Sequence, residues 1–241
     1  MKYAYICERG GRAINEDSVL VMAENGKLAA VVADGLGSCG GGKKASETVI
    51  KTISDNFDKL TSLNSEMINK VLEQANRNII CEQTKMVKMK STVAVLAADT
   101  DNRQYIWAYI GDSRLYHFVN GRIISYTKDH SVSQIKAAMG EITEAQIRSD
   151  TDRNRLVRAL GTGADKIKPA ISSLYTVTNK YDTNAFLLCS DGFWQYVLEK
   201  EMEDTLCLSH SPDEWLGAMK EILSSRCGNG CDNYSAIVLM E

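Results

Sequence analysis

LAAVVADGLG, residues 28–37, decides how this chain is read. Six apolar residues of strand length stop on an aspartate followed by glycine, a turn dipeptide. The same pattern returns along the chain. YIWAY (105–109) leads into Gly111-Asp112-Ser113, AFLLC (185–189) into Ser190-Asp191-Gly192, and Asp232-Asn233 stands directly before YSAIVLM (234–240). A fifth acidic site, Asn15-Glu16-Asp17, opens the run SVLVM (18–22). One such dipeptide is ordinarily only a turn. Their concurrence at the ends of several strands is the signal. If these runs are neighbours, carboxylates gather at one end of a sheet, which is strongly repulsive unless a cation neutralises them.

Short β-type runs at 2–7, 18–23, 28–33, 92–98, 104–110, 114–119, 171–177, 185–189 and 234–240 outnumber helical patterns. Many are joined by brief polar turns such as Glu24-Asn25-Gly26 and Asn120-Gly121, which predicts antiparallel hairpins. Two apolar stripes of helical spacing lie between them: Ala45, Val49, Ile53, Phe57, Leu60 and Ile68, Val71, Leu72, Ala75, Ile79. A third helix is predicted from Ser211-Pro212-Asp213-Glu214, which offers an N-cap, a first-turn proline and a capping-box glutamate. This order favours an α+β fold over a βαβ winding: a four-layer α-β-β-α sandwich of two antiparallel sheets flanked by helices, in one domain over 1–241. Residues 128–160 are polar, carry a small capping box at Thr143–Gln146, and read as an excursion from the core, either a flap beside the site or a pair of surface helices.

The formal net charge is −3 and the Lys and Arg residues are scattered, so no footprint for nucleic acid or an anionic membrane is expected. Seven cysteines form an odd set and the amino-terminal stretch lacks a signal-peptide core, which predicts reduced thiols and a cytoplasmic protein. Cys227 and Cys231 could be half of a zinc site, but no second Cys/His pair is placed to complete it, and they read as incidental thiols. No apolar run approaches the ~20 residues that span a bilayer.

Oxygen donors without paired histidines or thiolates suit Mg²⁺ or Mn²⁺. All three histidines (117, 130, 210) fall outside the acidic motifs. In a two-metal site a bridging water is readied for in-line attack and no Ser or Cys nucleophile is needed, in keeping with the absence of a G-x-S-x-G elbow. Arg12 adds a cation able to grip a phosphoryl oxygen. A competing reading comes from GSCGGGKK (37–44), which nearly satisfies a phosphate-binding loop but places Lys44 where a hydroxyl should ligate Mg²⁺.

Assembled, these residues resemble the metal-dependent serine/threonine phosphatases of the PPM, or PP2C, family in its compact bacterial form. The resemblance runs nearly end to end: RAINED (12–17), DGLG (34–37), Ala45-Ser46, Ser91-Thr92, GDSR (111–114), DHS (129–131), RALG (158–161), SDGFW (190–194) and Asp232-Asn233. It implies hydrolysis of phosphoserine and phosphothreonine on proteins phosphorylated by a Ser/Thr kinase, through a water bridging two Mn²⁺ or Mg²⁺ ions. Asp34 would bridge the ions, Asp191 and Asp232 would complete one set, and the Gly35 carbonyl would serve the other. Glu16 would contribute to that second shell or ion through water, Asp17 would orient metal waters, Arg12 would hold the phosphate, and Asp112 with Asp191 would suit a weaker third site. Asn233 completes the last motif, and 128–160 would be the flap. One departure stands out: where many bacterial relatives read D-G-x-G-G-H, this chain has Ser38 and Cys39 at the last two positions. Two other classes stay open on sequence alone. A non-catalytic phosphoprotein-binding module would bind metal without turnover, and a metal-dependent nuclease or nucleotide hydrolase would prefer oligonucleotides to phosphopeptides.

Overall fold

Leu28, Ala30 and Val32 face one side of their strand, Ala29, Val31 and Ala33 the other, and all six are buried. A strand covered on both faces reads as a continuous apolar run, which is why LAAVVA shows no polar alternation. The computed structural model describes residues 1–37, 40–163, 167–228 and 230–241.

Two antiparallel sheets are stacked face to face. The first has the order β1 (Lys2–Glu8), β12 (Tyr234–Met240), β11 (Asn184–Cys189), β7 (Arg114–Val119) and β8 (Arg122–Tyr126). The second runs β10 (Tyr175–Thr176), β6 (Gln104–Ile110), β5 (Val93–Asp99), β3 (Lys27–Gly37) and β2 (Asp17–Glu24). Two short strands extend it: β4 (Met89–Ser91) pairs with β3, and β9 (Ala170–Ile171) with β6. Between the sheets lies a core of Leu28, Val32, Leu96, Leu115, Phe186, Leu188, Ile237 and Leu239. The outer face of the second sheet is covered by α1 (Gly41–Ser54), α2 (Phe57–Leu60) and α3 (Ser65–Glu82), through Val49, Ile53, Leu60, Leu72 and Ile79. That of the first sheet is covered by α6 (Glu199–Leu208) and α7 (Pro212–Arg226), through Met202, Trp215, Met219 and Leu223. The excursion holds α4 (Val132–Ala138) and a 3₁₀ turn at Glu144–Ser149, and α5 (Asp191–Trp194) follows β11 directly. Three apolar interfaces thus make four layers, the α-β-β-α sandwich expected from the order of the runs. No helix among the described residues is long and apolar enough to cross a membrane.

Local chemistry starts the helices where the sequence indicates. The Asn64 side chain accepts from Glu66 and Met67 N–H at the head of α3, and Ser131 caps α4 through Gln134 N–H. Ser211 Oγ accepts from Glu214 N–H, but the Glu214 carboxylate reaches back to His210 N–H, one residue earlier than a simple capping box.

Several features differ from expectation. The run 171–177 is two short strands, because the Ser172 hydroxyl takes the Trp107 N–H and interrupts the ladder. The Asn120-Gly121 turn returns as β8, whose half-exposed residues gave a weak strand pattern. Helix α6 has no apolar stripe in the sequence, since only Met202 and Leu206 of its residues are buried. Cys227 and Cys231, read as incidental reduced thiols, are joined in a disulfide: the turn after α7 brings their Cα atoms to 5.6 Å, within reach of a bridge. Cys7, Cys81, Cys189 and Cys207 are free.

The Glu241 side chain ties the two sheets together. Its carboxylate accepts from Arg103 Nε (2.8 Å) and Nη2 (2.5 Å), the Tyr105 hydroxyl (2.5 Å), and Asn184 N–H and Nδ2 (2.8 and 2.9 Å). Burial alone would raise this carboxyl, but the bonds from Arg103, Tyr105 and Asn184 outweigh it and hold it at about 2. Because the folded value lies below the ordinary 4.5, the contribution is present above that pH and is lost as pH falls toward about 2. Glu241→Gln is expected to lower stability at neutral pH by about 1–3 kcal/mol, with the difference from wild type shrinking as pH falls. Denaturant titrations at a series of acidic pH values measure it; a pH-independent difference would contradict the assignment.

Candidate active site

Strand β3 changes partner at its acidic residue. It pairs with β5 as far as Val32 and with β4 from Gly35 onward, so Asp34 lies inside the strand rather than at its end. Thr92 fixes the crossing: its hydroxyl accepts from Asp34 N–H at 3.1 Å, and its own N–H donates to the Asp34 carbonyl at 2.8 Å. Asp17, the first residue of β2, lies directly across from Asp34 in the ladder. Gly35 N–H donates to the Glu16 carbonyl at 3.2 Å. Side chains are impossible just here, since a Cβ on Gly35 would stand 1.9 Å from the Gly42 carbonyl oxygen and one on Gly42 would stand 2.5 Å from Glu16 Oε1. The glycines let the strand, the start of α1 and the Glu16 carboxylate meet.

Asp112 is held at three points around it. Gly111 N–H donates to His130 Nδ1 at 3.1 Å while His130 N–H returns to the Gly111 carbonyl at 2.8 Å. Trp194 Nε1 donates to the Asp112 carbonyl at 2.9 Å, and the Thr92 and Ser113 hydroxyls share a bond of 2.7 Å. Burial, reinforced by Arg158, pushes His130 down to about 4, so its ring is neutral and Nδ1 can accept. Tyr109 stacks on that ring at 5.0 Å. His130, Trp194 and Thr92 belong to recognisable motifs, but sequence gave no hint that their task is to hold a turn.

The other sheet contributes the remaining acids. Asp191 opens α5 directly after β11, and Asp232 precedes β12. The Ser190 hydroxyl donates to Asp17 Oδ2 at 2.8 Å, a bond that crosses from one sheet to the other. Asn233 makes a second crossing: its Oδ1 accepts from Glu16 N–H at 2.9 Å, and its Nδ2 donates to the Arg9 and Ile14 carbonyls at 2.8 and 3.0 Å. Arg12 Nη2 donates to Asp232 Oδ2 at 2.8 Å from the exposed side.

Arg12, Glu16, Asp34, Gly35, Asp112, Asp191, Asp232 and Asn233 line one cavity of about 430 Å³. Every residue read from sequence as a cation ligand is therefore on a common wall. Asp17 is behind it, buried, and Asn154 and Leu156 of the excursion border it from the other side. Ser38 and Cys39 lie outside the described residues.

The electrostatics are those of crowded acid. Burial, then the Asp17 and Asp191 charges, pushes the Asp34 carboxyl well above its ordinary range. Burial followed by Asp191 does the same to Asp112. Asp191 rises to about 7, from burial and then Asp232, and Asp17 to about 6, chiefly from burial. Two buried oxygens, Asp112 Oδ1 and Asp17 Oδ1, have no hydrogen-bond partner. An all-oxygen wall with orphaned carboxylate oxygens fits a hard divalent cation. Among the described residues no three acidic side chains close on a single point as a ready-made cage. Mg²⁺-like ions keep several waters and need only one or two carboxylates each, so a wall suits them better than a cage.

Known proteins resemble this chain in sequence and fold. A model of the protein phosphatase 2C family matches residues 8–224. The serine/threonine phosphatase stp of Listeria welshimeri is 30% identical over 216 residues, 87% of this chain and 82% of that protein. The Mycobacterium tuberculosis serine/threonine phosphatase PstP/Ppp superposes with a TM-score of 0.81 at 26% identity, over 98% of this chain and 97% of that one. A PstP catalytic domain solved in complex with two manganese ions gives 0.78 at 24% identity, over 99% and 97%, and at that identity speaks for the fold alone. Motif order, cavity wall, architecture and relatives agree: the chain belongs to the protein phosphatase 2C family.

Proposed function

We propose that this protein hydrolyses phosphoserine and phosphothreonine monoesters on proteins, in the cytoplasm, in opposition to a Ser/Thr kinase. The observation that carries the reading is the gathering of Asp34, Asp112, Asp191, Asp232 and Glu16 on one cavity with Arg12 at its mouth. Its family membership and the phosphatases it resembles support the same chemistry. Asp34, the Gly35 carbonyl, Asp191 and Asp232 would hold two ions, Mn²⁺ or Mg²⁺, with Asp112 and Asp191 serving a third. When bound, such ions would neutralise phosphoryl charge and supply an activated water.

The chain's own groups do the rest. Asp17, anchored by Ser190, orients water from behind the wall. Glu16 faces the cavity beside Gly35 and holds outer waters. Arg12 leaves Asp232 for the incoming phosphate, whose oxygens accept its two-pronged donors as charge develops. Asn233 fixes the loop that carries Arg12 and Glu16. No side-chain nucleophile is required, so the ester breaks in one displacement. The excursion over 128–160, which we read as part of a single domain, would act as a flap, with Asn154 and Leu156, which line the cavity, bordering a substrate bound there.

Asp34→Asn, Asp191→Asn and Asp232→Asn are each expected to lower Mn²⁺-dependent turnover of a phosphothreonine peptide by more than about a hundredfold, with folded circular-dichroism spectra. Retained activity in all three would remove the mechanism. Arg12→Ala is expected to cost about tenfold to a hundredfold in kcat/KM while leaving Mn²⁺ binding intact, as loss of a charged hydrogen bond does. An unchanged kcat/KM would exclude Arg12 from phosphate binding. A third expectation concerns protons. Asp191 and Asp17 carry raised values, about 7 and about 6, so their stabilisation of the metal-free fold is full below their ordinary 3.8 and is lost as pH rises through those values. Metal-free protein should therefore melt lower at about pH 8 than at about pH 5, and added Mn²⁺ should raise Tm more at the higher pH. Equal Mn²⁺ gains at both would contradict the crowding of acids.

A further inference from the structure

We propose that Cys227 and Cys231 form a reversible thiol–disulfide site that sets the affinity of the adjoining cavity for divalent cations. The inference rests on the reading of Asp232 as a cation ligand.

The bond joins the end of α7 to the residue immediately before Asp232. On the helix side, Cys227 N–H donates to the Leu223 carbonyl at 2.8 Å, so this cysteine is fixed to the last turn of a packed helix. On the cavity side, the Cys231 carbonyl accepts from Gly11 N–H at 2.9 Å. Gly10 sits at φ +57° with its Cα so close that a Cβ would stand 2.1 Å from the Asp232 carbonyl oxygen. The backbone at 231–232 is therefore in direct contact with the loop that carries Arg12. Asp232 then receives Arg12, and Asn233 holds Arg9, Ile14 and Glu16. One covalent bond thus connects a helix buried by Trp215, Met219 and Leu223 to the loop of two site residues.

Among the described residues between the cysteines, Gly228 and Gly230 are exposed, and Cys231 N–H donates to the Gly228 carbonyl at 3.2 Å. With the thiols separate, two glycines permit many conformations, and the entropy of that segment is no longer restrained. Asp232 would then be held by the Gly11, Arg12 and Asn233 bonds without the covalent tether, and the ordering they leave undone would fall to cation binding, which weakens it. Supporting partners of metal ligands characteristically act at this level, about tenfold to a hundredfold in affinity. A cavity of about 540 Å³, lined by Arg9, Gly10, Leu223, Ser224, Cys227 and Cys231, opens on the pair and admits a small dithiol.

The chemistry balances with a cellular dithiol–disulfide couple as co-reactant. A thiolate of the external dithiol attacks one cysteine Sγ, the Cys227–Cys231 bond breaks, and a mixed disulfide forms. The second external thiol displaces the protein sulfur. Two electrons and two protons end on Cys227 and Cys231, and the dithiol leaves as its own disulfide. Reversal restores the tether.

The test uses the full chain in two forms, one oxidised by a low-molecular-weight disulfide and one reduced and freed of reductant under inert gas. Native alkylation should label both Cys227 and Cys231 only in the reduced form. Titration calorimetry with Mn²⁺ alone should show the reduced form binding at least about tenfold more weakly. In metal-free protein, amide exchange at Gly11 and Asn233 should be faster after reduction. Cys227→Ser/Cys231→Ser should match the reduced form and ignore the redox treatment. Equal Mn²⁺ affinity in both forms, or a redox response that persists in the double variant, overturns the proposal. Absence of Mn²⁺ binding in either form sinks the metal reading itself, and the proposal with it, while unchanged Gly11 exchange sinks only the tether.

Discussion

Several carboxylates buried around one cavity are tolerable only when something meets the charge that water no longer meets. In the metal-free chain, protons do so in part, as the raised carboxyls of Asp34, Asp112 and Asp191 record. Asp112 Oδ1 and Asp17 Oδ1 lack even a hydrogen-bond donor. A fold that wanted only stability would replace such groups with apolar ones. Retaining them makes sense where a divalent cation takes the place of the protons, and the same cation is what phosphoryl chemistry needs.

The arrangement demands that two sheets stay in register with each other. Asp17, Asp34 and Asp112 come from the seven-stranded sheet or its loops, Asp191 and Asp232 from the five-stranded one, and neither sheet alone holds a complete wall. Phe186, Leu188 and Ile237 packed on Leu28, Val32 and Leu96 set the spacing between them. At the rim, Ser190 to Asp17 and Glu16 to Asn233 lock the final placement with polar bonds. Core packing and site geometry are therefore one problem. Dispersive contacts fix the separation of the sheets to within a methyl group, and hydrogen bonds aim the acids.

Much of this could be read from the chain because the relevant strands are buried on both faces. Runs such as LAAVVA and YSAIVLM are unambiguous, and the acids that end or precede them stand out against apolar neighbours. The helices that cover the second sheet announce themselves by long stripes, and Ser211-Pro212 marks the start of α7. Strand β8 and helix α6 bury too few side chains to leave such a pattern. Asp34 read as a strand end because the exchange of β5 for β4 is a matter of ladder partners, which residue type does not encode. The Cys227–Cys231 bond was invisible for a related reason: an odd cysteine count argues about compartments, whereas pairing depends on a turn that brings two Cα atoms together. His130 and Trp194 likewise carry their role in contacts with the Gly111-Asp112 backbone, not in their identity.

Sharing of ions among acids from both sheets is tested most directly by anomalous scattering at the manganese edge from crystals grown with Mn²⁺. Two strong peaks are predicted inside the cavity, the Asp34 carboxylate contacting both and Asp191 and Asp232 contacting one of them. Peaks confined to other surfaces, or none within reach of Asp34, would contradict it.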